Sequence, residues 1–199
     1  MYRRWGKRVF DVGLALVLVA LTLPLQLLLV VVLAAYWRGN PLFWQLRPGY
    51  RERLFWIVKF KTLRHGPGTD AERLTPLGAW LRRTSLDELP QLWQVLTGQM
   101  ACIGPRPYLV AYLPLYTARQ RLRHQVRPGI TGWAQVNGRN TLGWPERLEL
   151  DVYYVEHLSL RLDLAILWRS VIYLMRGTGV ASPGEATGRI FTGTPHDPQ

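Results

Sequence analysis

The run Val12–Trp37, VGLALVLVALTLPLQLLLVVVLAAYW, is 26 residues long and contains no charged side chain. As one helix it would be about 39 Å long, which exceeds the roughly 30 Å hydrocarbon core of a bilayer. It is too long for the apolar part of a signal peptide, and no A-x-A-like cleavage site precedes a polar segment. The run therefore predicts a membrane-anchoring element, which we assign to residues 1–37.

Two residues near the middle of this run predict that the helix is interrupted there. Pro24 removes a backbone hydrogen bond and bends a helix, and Gln26 is costly at a bilayer centre unless it reaches water or protein. Both flanks are basic, with Arg3, Arg4, Lys7 and Arg8 before the run and Arg38, Arg47, Arg51 and Arg53 after it. Basic flanks favour the cytoplasmic side, which would suit a re-entrant helix that returns to the same face. These features alone leave a kinked spanning helix equally open.

The charge of the chain is strongly basic and unevenly distributed. The 199 residues include 25 Lys and Arg against 13 Asp and Glu, a net charge of +12, and residues 1–64 hold 11 of the basic and 2 of the acidic side chains. A basic excess beside an apolar segment predicts contact with anionic lipid or phosphate-bearing substrates, with nucleic acid as the competing explanation. The single cysteine, Cys102, excludes an internal disulfide framework, and the four histidines have no zinc-ligand spacing.

The remaining sequence predicts one mainly helical α+β domain over residues 38–180. Turn signals and β-branched or aromatic residues predict a hairpin of two strands, 42–46 and 54–60, whose aromatic residues we expect in the core. Residues 65–73 are expected to form a surface loop, and the Gly/Pro-rich residues 181–199 a loose tail. Helices are expected over residues 77–83, 87–97, 146–158 and 160–176.

Residues 108–125, YLVAYLPLYTARQRLRHQ, are unusual for a soluble helix because they combine many Tyr and Leu residues with a basic end. Such a segment is expected to lie in the membrane interface with its aromatic side chains inserted. An ordinary amphipathic helix packed on the core would give the same pattern, and the sequence does not distinguish the two.

The stretch Arg82–Pro90, RRTSLDELP, holds the strongest candidate for chemistry. Asp87 and Glu88 place a possible nucleophile beside a possible metal ligand, and the preceding arginines can neutralise a phosphate. The same residues also fit a capping box, in which Ser85 caps a helix and Glu88 lies at its third position. The two interpretations are compatible, since a helix N-terminus is itself a natural phosphate site.

Two further loops carry arginines among turn-forming residues. In Gly104–Pro107, GPRP, two prolines fix the position of Arg106, which suits phosphate recognition but is also what any rigid turn would look like. Val126–Arg139 contains three glycines that leave backbone amides accessible, as a diphosphate loop requires. It matches neither the dinucleotide-binding nor the P-loop pattern.

Together these segments resemble the small monotopic bacterial phosphoglycosyl transferases, also called polyprenyl-phosphate sugar-1-phosphate transferases, and most of all the bacillosamine-type enzymes. The resemblance covers residues 7 to about 180. Its segments are Lys7–Asp11 (KRVFD), Pro24, Arg47–Gly49 (RPG), Lys59–Thr62 (KFKT), Ser85–Leu89 (SLDEL), Gly104–Pro107 (GPRP), Leu113–Tyr116 (LPLY), Arg127–Asn140 (RPGITGWAQVNGRN) and Leu150–Tyr154 (LDVYY).

The resemblance implies a re-entrant helix bent at Pro24, in the cytoplasmic leaflet of the bacterial inner membrane. The family has a serine before this proline, whereas Leu23 stands here. The implied reaction moves a sugar-1-phosphate from a UDP-sugar to undecaprenyl phosphate and releases UMP, and the resemblance to the bacillosamine-type enzymes implies an N-acetylated hexosamine as the sugar.

The resemblance also assigns roles to single residues. It implies that Asp87 is the nucleophile, which forms a covalent phosphosugar intermediate, and that Glu88 holds Mg²⁺. Residues matching family positions that bind substrate phosphates are Lys59, Arg82, Arg106 and Arg139. Asp151 and Asp163 match acidic family positions whose role the resemblance does not define.

Two other classes of function remain to be weighed against an enzyme. A membrane-anchored scaffold would use Asp87 and Glu88 only as a helix cap. A nucleic-acid-binding module would explain the basic charge, but no helix-turn-helix, RNA-recognition or zinc pattern appears, so we expect no nucleic-acid partner. The oligomeric state and the glycan that is built are not readable from the sequence.

Overall fold

The computed structural model describes residues 1–138, 141–176 and 190–193, and its dominant element is helix α1, Lys7–Trp37. The turns before it, Tyr2–Gly6, are wound as π-helix. This is the one helix in those ranges that is long and apolar enough to cross a membrane. One stripe along it is buried, and the opposite side exposes most of its Leu and Val residues. The buried stripe is Asp11, Ala15, Val19, Gln26, Leu29 and Leu33.

Both ends of α1 contact the same folded domain. The Arg8 guanidinium donates hydrogen bonds to the carbonyls of Val95 and Leu96 at 2.7 and 3.0 Å. At the other end, the Trp37 indole donates to the Lys61 carbonyl at 3.3 Å. Helix α1 therefore lies along the domain over its whole length.

The middle of α1 also has a protein contact that explains its polar residue. The Oε1 atom of Gln26 accepts a hydrogen bond from the Trp93 indole at 3.1 Å, so the amide is not left unpaired in an apolar surrounding. Pro24 lies within α1, whose assigned helix is continuous from Lys7 to Trp37. The re-entrant path through one leaflet stays a prediction.

The predicted hairpin is confirmed, as strands β1 (Leu42–Pro48) and β2 (Leu54–Phe60) in antiparallel register. The core prediction for its aromatic residues holds for Phe55 and Phe60, which are buried, and is wrong for Trp44 and Trp56, which are half exposed. Because side chains alternate along a strand, the two sides of β2 have different neighbours.

The rest of the domain is built from short helices and one further strand pair, which confirms the mainly helical α+β prediction. The predicted loop 65–73 contains a one-turn helix, and a parallel pair, β3 with β4, was not predicted. The elements are α2 (Asp70–Arg73), α3 (Pro76–Arg83), α4 (Gln91–Leu96), β3 (Ala101–Ile103), α5 (Ala118–Arg121), β4 (Gly129–Thr131), α6 (Trp133–Val136), α7 (Trp144–Glu156) and α8 (Leu160–Arg176).

Residues 108–125 do not form the single interfacial helix that their composition suggested. The segment breaks into two 3₁₀ stretches, Val110–Leu115 and Leu122–Gln125, on either side of α5. Tyr108, Tyr112 and Tyr116 are buried, so insertion of these aromatic rings into the membrane is the wrong interpretation. Their spacing of four residues gathers the rings into one cluster inside the protein, with Leu148 and Phe191.

Of the predicted loose tail, residues 190–193 are described, and the others lie outside the described residues. Phe191 is buried with only 2% of its surface exposed, whereas its neighbour Ile190 is 75% exposed. This part of the tail is therefore packed on the domain.

Asp163, one of the two acidic residues without an assigned role, ties α8 to the start of the chain. It is fully buried, and the Tyr154 hydroxyl donates a hydrogen bond to its Oδ1 atom at 2.8 Å. Its other oxygen accepts from the Tyr2 hydroxyl and lies 3.0 Å from the Lys7 ammonium. A buried carboxylate needs such partners, so these contacts account for Asp163 as a structural residue.

Glycines allow the loop after β3 to cross β4 at very close range. A Cβ atom at Gly132 would lie 2.2 Å from the Gly104 carbonyl oxygen, and one at Gly129 would lie 2.1 Å from the Gly104 nitrogen. Both clashes are with backbone, which cannot move aside without shifting the strand pair. The crossing therefore fixes where the following residues, 105–107, are held.

We expect Gly132→Ala to destabilise the protein by about 2 kcal/mol or more, because the added methyl group must displace backbone. Thermal unfolding in detergent micelles measures this. Gly39→Ala is the matched control, since nothing lies within 4 Å of a Cβ there. Equal unfolding temperatures for the two variants would contradict the close crossing.

Candidate active site

Asp87 and Glu88 lie on a separate 3₁₀ turn, Leu86–Glu88, between α3 and α4. The capping-box alternative is wrong. Ser85 has a left-handed backbone conformation (φ 56°) and its side chain makes no capping hydrogen bond, and the helix itself begins at Gln91. The carboxylate of Glu88 is consequently free to point away from the backbone and towards other elements.

One oxygen of Glu88 receives two cations from different parts of the chain. Its Oε1 atom lies 2.5 Å from the Lys59 ammonium on β2 and 2.7 Å from Nη2 of Arg106 in the loop after β3. Although burial opposes ionisation, Arg106 and Lys59 hold the pKa of Glu88 well below its usual range. Glu88 is therefore a fixed anion that gathers two cations beside Asp87.

Asp87 is in the opposite electrostatic situation. It is 7% exposed, and burial together with the adjacent charge of Glu88 raises its pKa to about 6 against the attraction of Lys59, Arg106 and Arg82. Among the residues that the structure describes, none donates a hydrogen bond to its carboxylate. A desolvated carboxylate without hydrogen bonds is more nucleophilic than a solvated one, and the nearby cations can hold the phosphate that it attacks.

Arg82, at the end of α3, is the third cation at this site. Its Nε atom donates a hydrogen bond to the Thr62 hydroxyl at 3.0 Å, just beyond the end of β2. Its charge favours the ionised form of Asp87, although burial and the Glu88 charge outweigh it and raise the pKa of that carboxyl. The structure thus brings together five predicted site residues: Lys59, Arg82, Asp87, Glu88 and Arg106. Arg139 lies outside the described residues.

Asp151 does not join this group directly but supports Arg106 through a residue that the sequence reasoning missed. Its Oδ2 atom accepts hydrogen bonds from Nε and Nη2 of Arg123 at 3.1 and 2.7 Å, and both side chains are buried. Nη2 of Arg123 also donates to the backbone carbonyl of Arg106 at 2.5 Å. No local sequence signal distinguishes Arg123 from the other basic residues of its segment.

Asp87 and Glu88 could hold a magnesium ion only if the phosphates of a substrate supplied further ligands. No cluster of three or more His, Cys, Asp or Glu side chains that could hold a metal occurs in the described ranges. The Oε2 atom of Glu88, however, has no hydrogen-bond partner there, while Oε1 holds Lys59 and Arg106. Mg²⁺ commonly binds one or two carboxylates plus substrate phosphates, so Glu88 with a diphosphate would suffice.

Comparison with known proteins gives consistent results over nearly the whole chain. The model of the bacterial sugar transferase family matches residues 2–177. A protein of Bacillus subtilis named uncharacterized sugar transferase EpsL is 43% identical over 195 residues, which cover 94% of this chain and 96% of the relative.

Two relatives carry names that state a reaction. The UDP-glucose:undecaprenyl-phosphate glucose-1-phosphate transferase of Caulobacter vibrioides is 40% identical over 187 residues, 85% of this chain and 69% of the relative. The UDP-galactose-lipid carrier transferase of Erwinia amylovora is 34% identical over 199 residues. That alignment covers 88% of this chain but only 42% of the relative, which is therefore a much longer protein.

The resemblance seen in the sequence is thus confirmed at the level of the family, whereas the bacillosamine-type specificity stays a prediction. Given the family match over residues 2–177 and the Asp87–Glu88 site with its three cations, this chain belongs to the bacterial sugar transferase family, the bacterial phosphoglycosyl transferases.

Proposed function

We propose that this protein transfers a sugar-1-phosphate from a UDP-sugar to undecaprenyl phosphate and releases UMP. The observation that carries the proposal is the buried Asp87 carboxylate, which lies among Lys59, Arg82 and Arg106 without a hydrogen bond from the described residues. The names of the Caulobacter and Erwinia relatives support the same general reaction.

In the first step an oxygen of Asp87 attacks the β-phosphorus of the UDP-sugar. A bond forms between this oxygen and phosphorus, and the bond from the β-phosphorus to the bridging oxygen breaks, with its electron pair leaving on UMP. The sugar phosphate is then attached to Asp87 as an acyl phosphate. Arg82 and Arg106 offset the negative charge that develops on the phosphoryl oxygens and on the leaving group.

In the second step a phosphate oxygen of undecaprenyl phosphate attacks the phosphorus of this intermediate. The bond between Asp87 and phosphorus breaks, and the carboxylate is regenerated while undecaprenyl diphosphosugar is released. The two substrates use the same carboxylate in turn, which gives ping-pong kinetics.

Glu88 keeps Lys59 and Arg106 at the phosphate position in both steps. We also propose that Glu88 contributes an oxygen ligand to Mg²⁺, which when bound would neutralise diphosphate charge and favour departure of UMP. The proposal of Mg²⁺ is supported by the diphosphate of the substrate and by the Oε2 atom of Glu88, which has no hydrogen-bond partner among the described residues.

The proposed donor carries an N-acetylated hexosamine, as the resemblance to bacillosamine-type enzymes implies. The relatives described above are instead named for glucose or galactose. A panel of donors is therefore needed to decide whether the sugar is an N-acetylated hexosamine, glucose or galactose.

The proposed membrane arrangement is monotopic, in the cytoplasmic face of the bacterial inner membrane. It is supported by the contacts of Arg8 and Trp37, near opposite ends of α1, with one domain. If α1 crossed the bilayer, its two ends would lie on opposite sides of the membrane, and only one of them could contact a domain on one side. The exposed apolar side of α1 would face lipid, and the half-exposed Trp44 and Trp56 of the hairpin suit a membrane interface.

We expect purified protein with Mg²⁺, undecaprenyl phosphate and one UDP-sugar of a panel to release UMP. The panel contains UDP-linked N-acetylated hexosamines, including diacetylated bacillosamine, with UDP-glucose and UDP-galactose. Asp87→Asn should lower the rate at least a thousandfold, since amide oxygen is a poor nucleophile, and EDTA should abolish release.

Without acceptor, intact mass spectrometry should detect one sugar phosphate on the wild type only. Full activity of Asp87→Asn would exclude the covalent step.

We also expect Asp87→Asn to raise the unfolding temperature at pH 7.5 by roughly 4 °C, because a pKa of about 6 means that ionised Asp87 destabilises the folded state. The sign follows from proton binding: near pH 5 folded Asp87 holds a proton that the unfolded chain has lost, so wild-type stability rises as pH falls through 6. The advantage of the variant should therefore shrink towards pH 5. Scans in EDTA test this, and a difference that does not change with pH would contradict it.

The membrane arrangement predicts that both ends of α1 are labelled from the same side. In a Cys102→Ala background, the single-cysteine variants Arg3→Cys and Gly39→Cys should react with a membrane-impermeant maleimide in inverted vesicles and not in intact spheroplasts. Val31→Cys, on the exposed apolar side of α1, serves as the lipid-protected control. Opposite labelling of the two end positions would establish a spanning helix instead.

A further inference from the structure

Phe191 lies outside residues 2–177, the range that the family model matches, and is nevertheless buried. Its ring packs against three aromatic side chains of the catalytic domain. The centroid distances are 5.2 Å to Trp144, 5.5 Å to Tyr112 and 5.6 Å to Tyr116. Phe191 thus supplies part of a cluster that also contains Tyr108, whose ring centroid lies 4.9 Å from that of Trp144.

This aromatic cluster surrounds the side chain of Arg123. The Arg123 guanidinium lies 4.4 Å from the centroid of the Tyr108 ring and 5.7 Å from that of Tyr116. Cation–π contacts of a desolvated arginine contribute both attraction and orientation. With Asp151 bound to Nε and Nη2, these rings determine how the guanidinium is directed.

Arg123 in turn holds the backbone that carries Arg106. Its Nη2 atom donates to the Arg106 carbonyl at 2.5 Å, and the Arg106 side chain is the one that reaches Glu88 at 2.7 Å. A continuous series of contacts therefore leads from Phe191 through Tyr116 and Arg123 to the carboxylate beside Asp87.

Removing the Phe191 ring would leave a cavity between Tyr112, Tyr116 and Trp144. Surrounding side chains relax into such a cavity only in part, and they do so by changing orientation. A change at Tyr116 alters the face that it presents to Arg123, whose bond to the Arg106 carbonyl is short and directional. The effect at the site would be a displacement of Arg106 rather than loss of a substrate contact.

We propose that Phe191 is a positioning residue for Arg106, which acts through the aromatic cluster and Arg123, so that the functional catalytic unit extends beyond the family-matched range to the segment around Phe191. The inference rests on the proposed function for its kinetic consequence, but its structural part can be measured separately. Phe191 itself touches no described residue of the Asp87 site.

The first test compares Phe191→Ala with Ile190→Ala in the 199-residue protein. Single-turnover UMP release at saturating UDP-sugar should fall about tenfold in Phe191→Ala, since small displacements of a positioning group cost one to two orders of magnitude in rate. Ile190→Ala, at an exposed neighbouring position, should match the wild type. If Phe191→Ala does not fold, Phe191→Leu replaces it, with a smaller loss expected. An unchanged rate constant in a folded Phe191 variant would overturn the proposal.

A double-mutant cycle distinguishes positioning from general loosening of the fold. In an Arg106→Ala background there is no Arg106 side chain left to position, so Phe191→Ala should cause little further loss of the single-turnover rate. Rates are taken at a temperature where all four proteins are folded. If the two losses multiply, Phe191 acts independently of Arg106 and the proposal is wrong.

Hydrogen exchange provides a readout that does not depend on activity. Backbone amides of residues 108–112 and 121–125 should exchange faster in Phe191→Ala than in Ile190→Ala, while amides of α3 should not change. Unchanged exchange in the first two segments would overturn the inference even if the wild type is an active transferase. Faster exchange in a protein that releases no UMP with any donor would mean that the proposed function fails while the packing inference stands.

Discussion

Two cations, one from a strand and one from a loop, meet on a single oxygen of Glu88. This contact needs β2, the turn at residues 86–88 and the loop after β3 to be in their correct places at once. If this contact were broken, one carboxylate and two partly buried cations would remain without partners. Leaving such charges buried but unpaired costs far more free energy than not burying them at all. The rest of the fold can be understood as the set of supports that keep these three segments together.

The same contact explains why neighbouring carboxylates differ so strongly. Glu88 is stabilised as an anion by two cations, whereas Asp87 is buried beside that anion and is destabilised when ionised. Two adjacent side chains of the same chemical type thus acquire separate tasks from their surroundings alone. Glu88 is a fixed charge that organises the site, and Asp87 is a buried carboxylate with a raised pKa, held without hydrogen bonds from the described residues.

Behind the site, buried ion pairs connect elements that are distant in sequence. Arg123 and Asp151 join the segment after α5 to α7 and fix the backbone of Arg106. Lys7 and Asp163 join the start of α1 to α8. Because an unpaired buried charge is costly, each pair favours one relative arrangement of the segments that it joins. Arg123 extends this constraint to the loop after β3 through its bond to the Arg106 carbonyl. The contacts of Asp151 and Asp163 with described residues are therefore those of side chains that support the fold.

The sequence by itself determined the long apolar helix, the hairpin, most helix positions and the candidate pair Asp87 and Glu88. These features depend on local periodicity, on turn residues and on motifs that are contiguous in the chain. Arg82 precedes Asp87 by only five residues, so the local sequence already placed the two together. That Lys59 and Arg106 belong with Asp87 was predicted only through resemblance to a family. Nothing in their spacing along the chain implies a common site.

Only the tertiary structure decided the contacts between distant segments. The capping-box pattern around Ser85 was locally valid, yet Lys59 and Arg106 draw Glu88 away from that role. Residues 108–125 have a composition suited to a membrane interface. Their tyrosines are nevertheless buried, because Phe191 and Trp144, which are remote in sequence, pack in the same cluster. Burial and pairing are properties of the folded chain, since they depend on residues far apart in sequence. Local patterns therefore fixed the elements, and packing fixed what each side chain does.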